Sequence, residues 1–103
     1  MVKVVGTDNF NEEIKDGVVV VDFYADWCGP CKMLGPVIEE LSNDMDGKVK
    51  FCKVNVDDNQ KISQEYGITN IPSVLFFKDG AKVDMQVGFL PKNVLEQKIN
   101  GYL

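Results

Sequence analysis

The residues of this chain best suited to chemistry are two cysteines, Cys28 and Cys31, which flank Gly29-Pro30 and follow Trp27. Two thiols at this spacing can form a disulfide with each other, and the same spacing can hold a metal ion. A Cys-x-x-Cys segment beside a β-α-β pattern is typical of dithiol–disulfide redox chemistry. The rest of the chain must decide between the two alternatives.

Histidine is absent from the chain, which removes several kinds of chemistry. Neither a Cys-His nor a Ser-His pair can form, and no imidazole can bind zinc or haem iron. A structural zinc site needs four Cys or His ligands, whereas the chain has 3 cysteines. A c-type haem site requires His after the second cysteine, where Lys32 stands. Redox chemistry is therefore favoured, and no metal site is predicted.

Length and charge narrow the class of protein. The chain has 103 residues, which predicts a single domain spanning residues 1–103. Its net charge is -5, and all 11 basic residues are lysine. An acidic surface without arginine argues against nucleic-acid backbones and anionic membranes as partners.

The chain also lacks the pattern of a membrane protein. No segment approaches the roughly 18 consecutive apolar residues of a membrane span, and the first residues do not resemble a signal peptide. A leaderless chain with few cysteines indicates the reducing cytoplasm, where cysteine pairs are usually catalytic or bind metals. A leader that has been removed is the weaker alternative.

The elements around the cysteines can be predicted from periodicity. Val18–Tyr24 is a β-branched and aromatic run without alternation, which predicts a strand buried on both faces. Apolar side chains then recur at helical spacing from Lys32 to Met45, and Pro36 is expected to kink this helix. Asp79-Gly80 between two apolar runs predicts a β-hairpin. The predicted order is β-α-β-α-β-α-β-β-α, an α/β fold with a central mixed sheet and helices on both faces.

Several smaller predictions concern single residues. Asn9 and Glu12 fit a capping box at the start of a short helix. The third cysteine, Cys52, is expected to be a small buried hydrophobe without a catalytic role. The side chains expected to face the core are Met33, Leu34, Val37, Ile38, Leu41 and Met45 of the helix after the cysteines and Val94, Leu95 and Ile99 of the last helix.

Asp22 interrupts the otherwise apolar strand that leads to the cysteines. An unpaired buried carboxylate is costly, so Asp22 is expected to be protonated at times, paired, or solvated through a small channel. The alternative is a carboxylate near the end of the strand that faces solvent.

Over essentially its whole length, the chain resembles the thioredoxin family. The segments that carry the resemblance are Val21–Lys32 with the pentapeptide Trp27–Cys31 intact, Lys53–Asp57, Tyr66–Ile68, Ile71–Ser73 and Val87-Gly88. The resemblance implies the thioredoxin fold and a redox-active disulfide. Three positions depart from the family pattern: Tyr24 where many members have tryptophan, Gly35 where alanine is usual, and Phe89 in place of a smaller residue. Tyr24 is expected to affect the environment of the disulfide, and Phe89 the contact surface.

The two cysteines are expected to have different roles. Cys28 should begin or closely precede its helix, where free backbone N–H groups and the helix dipole favour a thiolate. In dithiol proteins, of which thioredoxin is a standard example, the thiolate is the attacking species, so Cys28 is the expected nucleophile. Cys31, in the first turn, is expected to be less exposed and to act as the resolving thiol. Gly29-Pro30 keeps the turn narrow and lacks the histidine of many oxidase and isomerase relatives, which favours a reductant.

The resemblance also implies roles for residues outside the pentapeptide. It places Asp22 beneath Cys31 as the acceptor of its proton, with Lys53 on the neighbouring strand as the partner of Asp22. The sequence alone favours a trans Ile71-Pro72 bond, because only about 5–6% of X-Pro bonds in folded proteins are cis. The resemblance implies instead a cis bond that faces the cysteines.

A cis bond at this position would present the Ile71 backbone to an incoming peptide in the manner of an adjacent strand. A shallow apolar groove is then expected around Cys28. Its expected members are Trp27, Gly29, Pro30, Ile71, Pro72 and Gly88. For Gly88, an ordinary glycine at the end of a strand is an equally good interpretation.

The function expected from these residues is general protein-disulfide reduction by dithiol exchange. The expected partners are a thioredoxin reductase and disulfide-containing client proteins, with no bound cofactor, and the protein is expected to be a monomer. Two alternatives remain open. The chain could be a redox-independent binding subunit of another protein, or a disulfide oxidase or isomerase domain.

Overall fold

Strands and helices alternate along the chain, except at one β-hairpin, in the computed structural model, which describes residues 1–103. The predicted order of elements is confirmed. None of the helices combines the length and the hydrophobicity that a membrane-spanning helix requires. The elements are β1 (Lys3–Val4), α1 (Phe10–Glu13), β2 (Val18–Tyr24), α2 (Gly29–Asp44), β3 (Lys50–Asn55), α3 (Gln60–Glu65), β4 (Ser73–Lys78), β5 (Ala81–Val87) and α4 (Lys92–Asn100).

The strands form one mixed sheet in the order β1-β3-β2-β4-β5. β1 and β2 both run parallel to β3, whereas β4 is antiparallel to its neighbours β2 and β5. The strand predicted to be buried on both faces is therefore the central one. β4 and β5 meet at Asp79-Gly80, and both turn residues have positive φ (50° and 87°), as a two-residue hairpin with matching twist requires.

Helices cover both faces of the sheet, as predicted. Because side chains alternate along a strand, Val19, Val21 and Phe23 of β2 pack with α1 and α3, which we call the α1 face. Val18 and Val20 pack with α2 and α4, which we call the α2 face. Both faces have an apolar core. Each face is covered by one helix that precedes β3 in the sequence and one helix that follows it.

Two predictions about helix faces were wrong. Met33 of α2 is 62% exposed and Val94 of α4 is 42% exposed. The buried stripe of α2 follows Leu34, Ile38 and Leu41, at spacings of three and four residues, and Met33 lies about 100° to one side of it. The periodic pattern was therefore broader than the surface that the sheet covers.

The predicted capping box at α1 does not form. Asn9 is the N-cap residue, but its side chain makes no hydrogen bond to the helix. Its Oδ1 atom instead accepts a hydrogen bond from the backbone N–H of Gly6, 2.9 Å away. The amide side chain thus stabilises the turn before the helix rather than the helix itself.

Candidate active site

The two cysteines lie where β2 passes into α2, and they form a disulfide with a Cα–Cα distance of 5.2 Å. Cys28 is the N-cap residue of α2, and its Sγ atom accepts a hydrogen bond from the backbone N–H of Cys31, 3.2 Å away. Pro30 occupies the first turn, where the missing N–H leaves no helical hydrogen bond unmade. The expectation that a helix begins at Cys28 is met.

The expectation that Cys31 is less exposed than Cys28 is wrong. Each cysteine is 5% exposed. Both are covered because the partly buried side chains of Tyr24, Val56 and Ile71 pack against them. The position of a cysteine in the first turn of the helix therefore does not by itself determine its exposure to solvent.

A tryptophan projects from the surface beside the disulfide. Trp27 is 70% exposed, yet its orientation is restrained, because its indole Nε1–H donates a hydrogen bond to Asp57 Oδ2 at 2.8 Å. Asp57 follows β3, and its own N–H donates to Asn55 Oδ1 at 2.9 Å. Asp57 was not among the predicted site residues, although it belongs to one of the segments that carry the family resemblance.

The loop before β4 faces the disulfide from the opposite side. The Ile71–Pro72 bond is cis, as the resemblance implied and contrary to the bare frequency of such bonds. The carbonyl oxygen of Ile71 lies 3.8 Å from Cys28 Sγ. Gly88, with φ of 92°, donates its backbone N–H to the carbonyl oxygen of Pro72 at 2.8 Å. Gly88 thus contacts the residue that follows the cis bond, and it also directly follows the end of β5.

These contacts bring the predicted groove residues together around Cys28, although with different exposures. Gly29 and Pro30 are exposed, Ile71 and Gly88 are half-buried, and Pro72 is buried beneath them. Phe89, which follows Gly88, is exposed. The exposed side chains among these residues, Trp27, Pro30 and Phe89, are apolar.

Asp22 lies below the disulfide, inside the sheet. It is 4% exposed, so the alternative of a carboxylate facing solvent is wrong. Burial raises the pKa of Asp22 from 3.8 to about 7, an effect that the positive charge of Lys53 opposes. Its Oδ1 atom has no hydrogen-bond partner in the protein. This carboxyl group can therefore take up or release a proton near neutral pH.

Two adjoining cavities give Asp22 its surroundings. One, of about 190 Å³, is lined by Asp22 together with Cys31, Tyr24 and Lys53. The other, of about 240 Å³, also borders Asp22 and Lys53 and extends along α2. Gly35 lines both, and a Cβ atom added there would meet nothing within 4 Å. The largest cavity, of about 460 Å³, lies at the other end of the sheet near Val18 and has no cysteine in its lining.

Lys53 is the partner of Asp22 in the register between β2 and β3. Its Nζ atom lies 5.8 Å from the centroid of the Tyr24 ring. No direct ion pair joins Lys53 to Asp22. The lysine therefore acts on the buried carboxylate through space.

The third cysteine lies away from this site. Cys52 is fully buried on the α1 face and is not in a disulfide, and burial raises the pKa of its thiol to about 11. A thiol with this pKa is a poor nucleophile at neutral pH. No group of three or more His, Cys, Asp or Glu side chains is arranged to hold a metal ion.

Comparison with known proteins identifies the family. The sequence model of the Thioredoxin family matches residues 1–101. The chain is 52% identical over 97 residues to the thioredoxin of Chlorobaculum thiosulfatiphilum, covering 92% of this chain and 90% of the relative. It is 47% identical over 95 residues to that of Bacillus subtilis (strain 168), covering 92% and 91%.

A solved structure supports the same assignment. The thioredoxin of Malassezia sympodialis superposes with a TM-score of 0.88 at 43% identity, covering 99% of this chain and 90% of that one. With its cysteine pair joined at the start of α2, this chain belongs to the thioredoxin family, the protein-disulfide oxidoreductases that act by dithiol exchange through a redox-active disulfide of their own.

Proposed function

We propose that the protein is a general disulfide reductase, which carries electrons from a thioredoxin reductase to disulfide-containing client proteins. One observation carries the proposal: Cys31 and the buried Asp22 line the same cavity, directly beneath the disulfide. This arrangement supplies a thiol pair and a group that can exchange a proton with it. The oxidised pair is the product of one reducing cycle.

In the proposed cycle, the Cys28 thiolate attacks one sulfur of the client disulfide. A bond forms between Cys28 and that sulfur, and the other client sulfur leaves as a thiolate that takes up a proton. The Cys31 thiolate then attacks Cys28 Sγ, which releases the second client thiolate and forms the Cys28–Cys31 disulfide. Two electrons pass to the client, and the reductase then supplies two new electrons that reduce the Cys28–Cys31 disulfide again.

The environment of each cysteine suits its role. The N–H of Cys31 donates to Cys28 Sγ, and the start of α2 favours negative charge there, so Cys28 is the nucleophile. Asp22 accepts the proton of Cys31, since its pKa of about 7 lets it change protonation state at neutral pH. Lys53 assists by its charge, which opposes the rise in the pKa of Asp22.

Clients bind at the shallow apolar surface around Cys28. An extended client segment lies against the loop of Ile71 and Pro72 and pairs with its backbone like an added strand. The exposed indole of Trp27, restrained by Asp57, provides an apolar contact beside it. The surface that we assign to client binding comprises Trp27, Gly29, Pro30, Ile71, Pro72 and Gly88.

The direction of the reaction follows from the dipeptide between the cysteines. Gly29-Pro30 carries no positive charge that would stabilise the reduced thiolate, so the disulfide is not a strong oxidant. A reductant of this kind operates in a reducing compartment, and we therefore place the protein in the cytoplasm. We also propose that it acts as a single-domain monomer. A reduction potential as high as that of disulfide-forming enzymes would contradict this assignment.

The proposal is tested by insulin reduction with dithiothreitol as the electron donor. We expect Cys28→Ser to lose all activity above background. In a separate incubation of the reduced protein without dithiothreitol, Cys31→Ser should stop after the first step and accumulate a mixed disulfide with a single-disulfide client, detectable by mass spectrometry. The matched control is Cys52→Ser, which should retain full activity because that thiol is buried and lies on the α1 face.

Two results would contradict these assignments. Mixed disulfides that accumulate in Cys28→Ser instead of Cys31→Ser would reverse the roles of the two thiols. Full biological activity of a Cys28→Ser, Cys31→Ser double variant would instead support a redox-independent binding subunit.

A further inference from the structure

Tyr24 occupies a position next to the buried carboxylate that the reaction cycle does not use. Asp22 and Tyr24 are two residues apart on β2, so both side chains point to the α2 face. Lys53 pairs in register with Asp22, and its side chain therefore lies on the same face. Its ammonium group is 5.8 Å from the ring centroid of Tyr24, within the range of a cation–π interaction.

We propose that Tyr24 is a positioning residue, whose ring holds the Lys53 ammonium group at the cavity beside Asp22 and keeps it out of bulk water. The inference rests on the proposed function in one respect, the role of Asp22 as proton acceptor. Tyr24 is itself half-buried and lines this cavity together with Asp22, Cys31 and Lys53. Its side chain also packs against the cysteine pair, and the positioning role proposed here acts through Lys53.

The need for such a residue follows from the flexibility of lysine. The ammonium group is strongly hydrated and sits on a stem with four carbons, so an unrestrained Lys53 would extend into solvent. There, screening by water would weaken its effect on Asp22. Neither an ion pair with Asp22 nor a hydrogen bond of the Lys53 ammonium group competes for this position, which leaves the Tyr24 ring as its contact.

Other charged groups near Asp22 do not take over this role. Asp26 and Lys32 line the same cavity and are exposed, and Glu39 of α2 lines the adjoining one. Tyr24 contributes its ring rather than a charge, because burial raises the pKa of its hydroxyl and keeps it neutral. Lys53 is the charge that opposes the effect of burial on Asp22.

The test is a double-mutant cycle that measures the pKa of Asp22 by carbon-13 NMR titration of its carboxyl group in the oxidised protein. With Tyr24 present, we expect Lys53→Met to raise this pKa by about one pH unit, because an opposing charge is lost. With Tyr24→Leu, the same Lys53→Met change should raise it by less than about a third as much. Comparing the two Lys53→Met effects cancels any direct effect of the smaller side chain on the solvation of Asp22.

The matched control is Tyr24→Phe, which keeps the ring and should leave the full Lys53→Met effect in place. Equal Lys53→Met effects with Tyr24 and with Leu at that position would overturn the proposal. A second measurement needs no variant: in the wild-type protein, the ε-protons of Lys53 should be shifted upfield of those of the exposed Lys61 by the ring current. An unshifted Lys53 signal would also overturn it.

The experiments distinguish failure of this inference from failure of the proposed function. The cycle is measured without client, so its outcome does not depend on proton transfer to Asp22. Among the wild-type protein, Lys53→Met, Tyr24→Leu and the double variant, the pH profile of insulin reduction should follow the pKa of Asp22. If the NMR coupling is present and the pH profile does not follow it, Asp22 is not the proton acceptor, and the positioning of Lys53 by Tyr24 still holds.

Discussion

The two faces of the sheet differ in how their buried polar groups are satisfied. On the α1 face, Phe10 lies 5.3 Å from Tyr66 and 5.7 Å from Phe77 between ring centroids, in tilted and edge-on arrangements. The buried hydroxyl of Ser63, on α3, donates to the carbonyl oxygen of Asn59 at 2.8 Å. No carboxylate is buried on this face. Its contacts are those of a core that only stabilises the fold.

On the α2 face, the packing is less complete. Both buried side-chain oxygen atoms that lack a partner in the protein lie here: Oδ1 of Asp22 and Oγ of Ser42. Two cavities adjoin Asp22, and Gly35 leaves unfilled space between the helix and the sheet. A single strand can therefore both stabilise the fold and form part of the site. Alternate residues of β2 contribute to an inert core on the α1 face and to the site on the α2 face.

The largest difference in stability between the two faces is expected from a substitution among the packed aromatic rings of the α1 face. Phe10→Ala should lower the free energy of unfolding by about 3–5 kcal/mol, because it removes a fully buried ring and leaves a cavity. The activity of the molecules that remain folded should not change, as the ring lies on the face opposite Asp22. Urea unfolding and insulin reduction measure the two quantities.

The control for Phe10→Ala is Phe89→Ala, which removes an exposed ring beside the site. Its free energy of unfolding should change by less than about 1 kcal/mol. A tenfold loss of activity in folded Phe10→Ala would show that the α1 face takes part in the reaction and would remove the distinction between the faces.

The next effect concerns the buried carboxylate. The pKa of Asp22 is about 7 in the folded protein, whereas its ordinary value, which applies to the unfolded chain, is 3.8. Between these pH values the folded state binds more protons than the unfolded state, so this group makes stability fall as pH rises. At about 1.4 kcal/mol per pH unit, the cost above pH 7 is on the order of 4 kcal/mol. Asp22→Asn should therefore be more stable than wild type at pH 8, by about 2–4 kcal/mol, since the amide retains a smaller desolvation cost.

The pH dependence distinguishes this cause from better packing. The gain of Asp22→Asn should shrink as pH falls from 8 towards 4, because the wild-type carboxyl group becomes protonated and neutral in the folded state. Insulin reduction by the variant should be slower near neutral pH without being abolished. A gain that is the same at pH 4 and pH 8 would contradict the assigned pKa, and unchanged kinetics would contradict the proton-transfer role.

Much of the fold was predictable because it depends on local patterns. The uninterrupted run Val18–Tyr24 coincides with β2, and Asp79-Gly80 forms the hairpin turn. The errors at Met33 and Val94 have one physical cause: helical periodicity tells which side chains share a face, but not how wide a strip the sheet covers. The width of that strip is a property of the packed layers.

The site was predictable where a residue type conflicts with its surroundings. Asp22 could be singled out because a carboxylate interrupts an apolar strand, and the cysteines because of their spacing. Asp57 was missed, since its contact with Trp27 joins residues 30 positions apart at the ends of neighbouring strands. The equal burial of Cys28 and Cys31 was missed for a similar reason, because the covering side chains come from separate segments.

The smallest effect compares two buried serines, Ser42 on α2 and Ser63 on α3. Replacing either with alanine gains about 0.5 kcal/mol of helix propensity, so this contribution cancels between them. Ser42→Ala also removes a buried hydroxyl without a protein partner, whereas Ser63→Ala removes a hydrogen bond of 2.8 Å to Asn59. We therefore expect Ser42→Ala to be the more stable of the two by about 1–2 kcal/mol.

Urea unfolding of the two serine variants at pH 6 and pH 8 measures this difference. It should be the same at both pH values, because neither hydroxyl titrates in this range, in contrast to the effect of Asp22→Asn. If the two variants have equal stability, the hydroxyl of Ser42 is as well satisfied as that of Ser63. The α2 face would then differ from the α1 face only at Asp22 and its cavities, and the incomplete packing would be confined to the site.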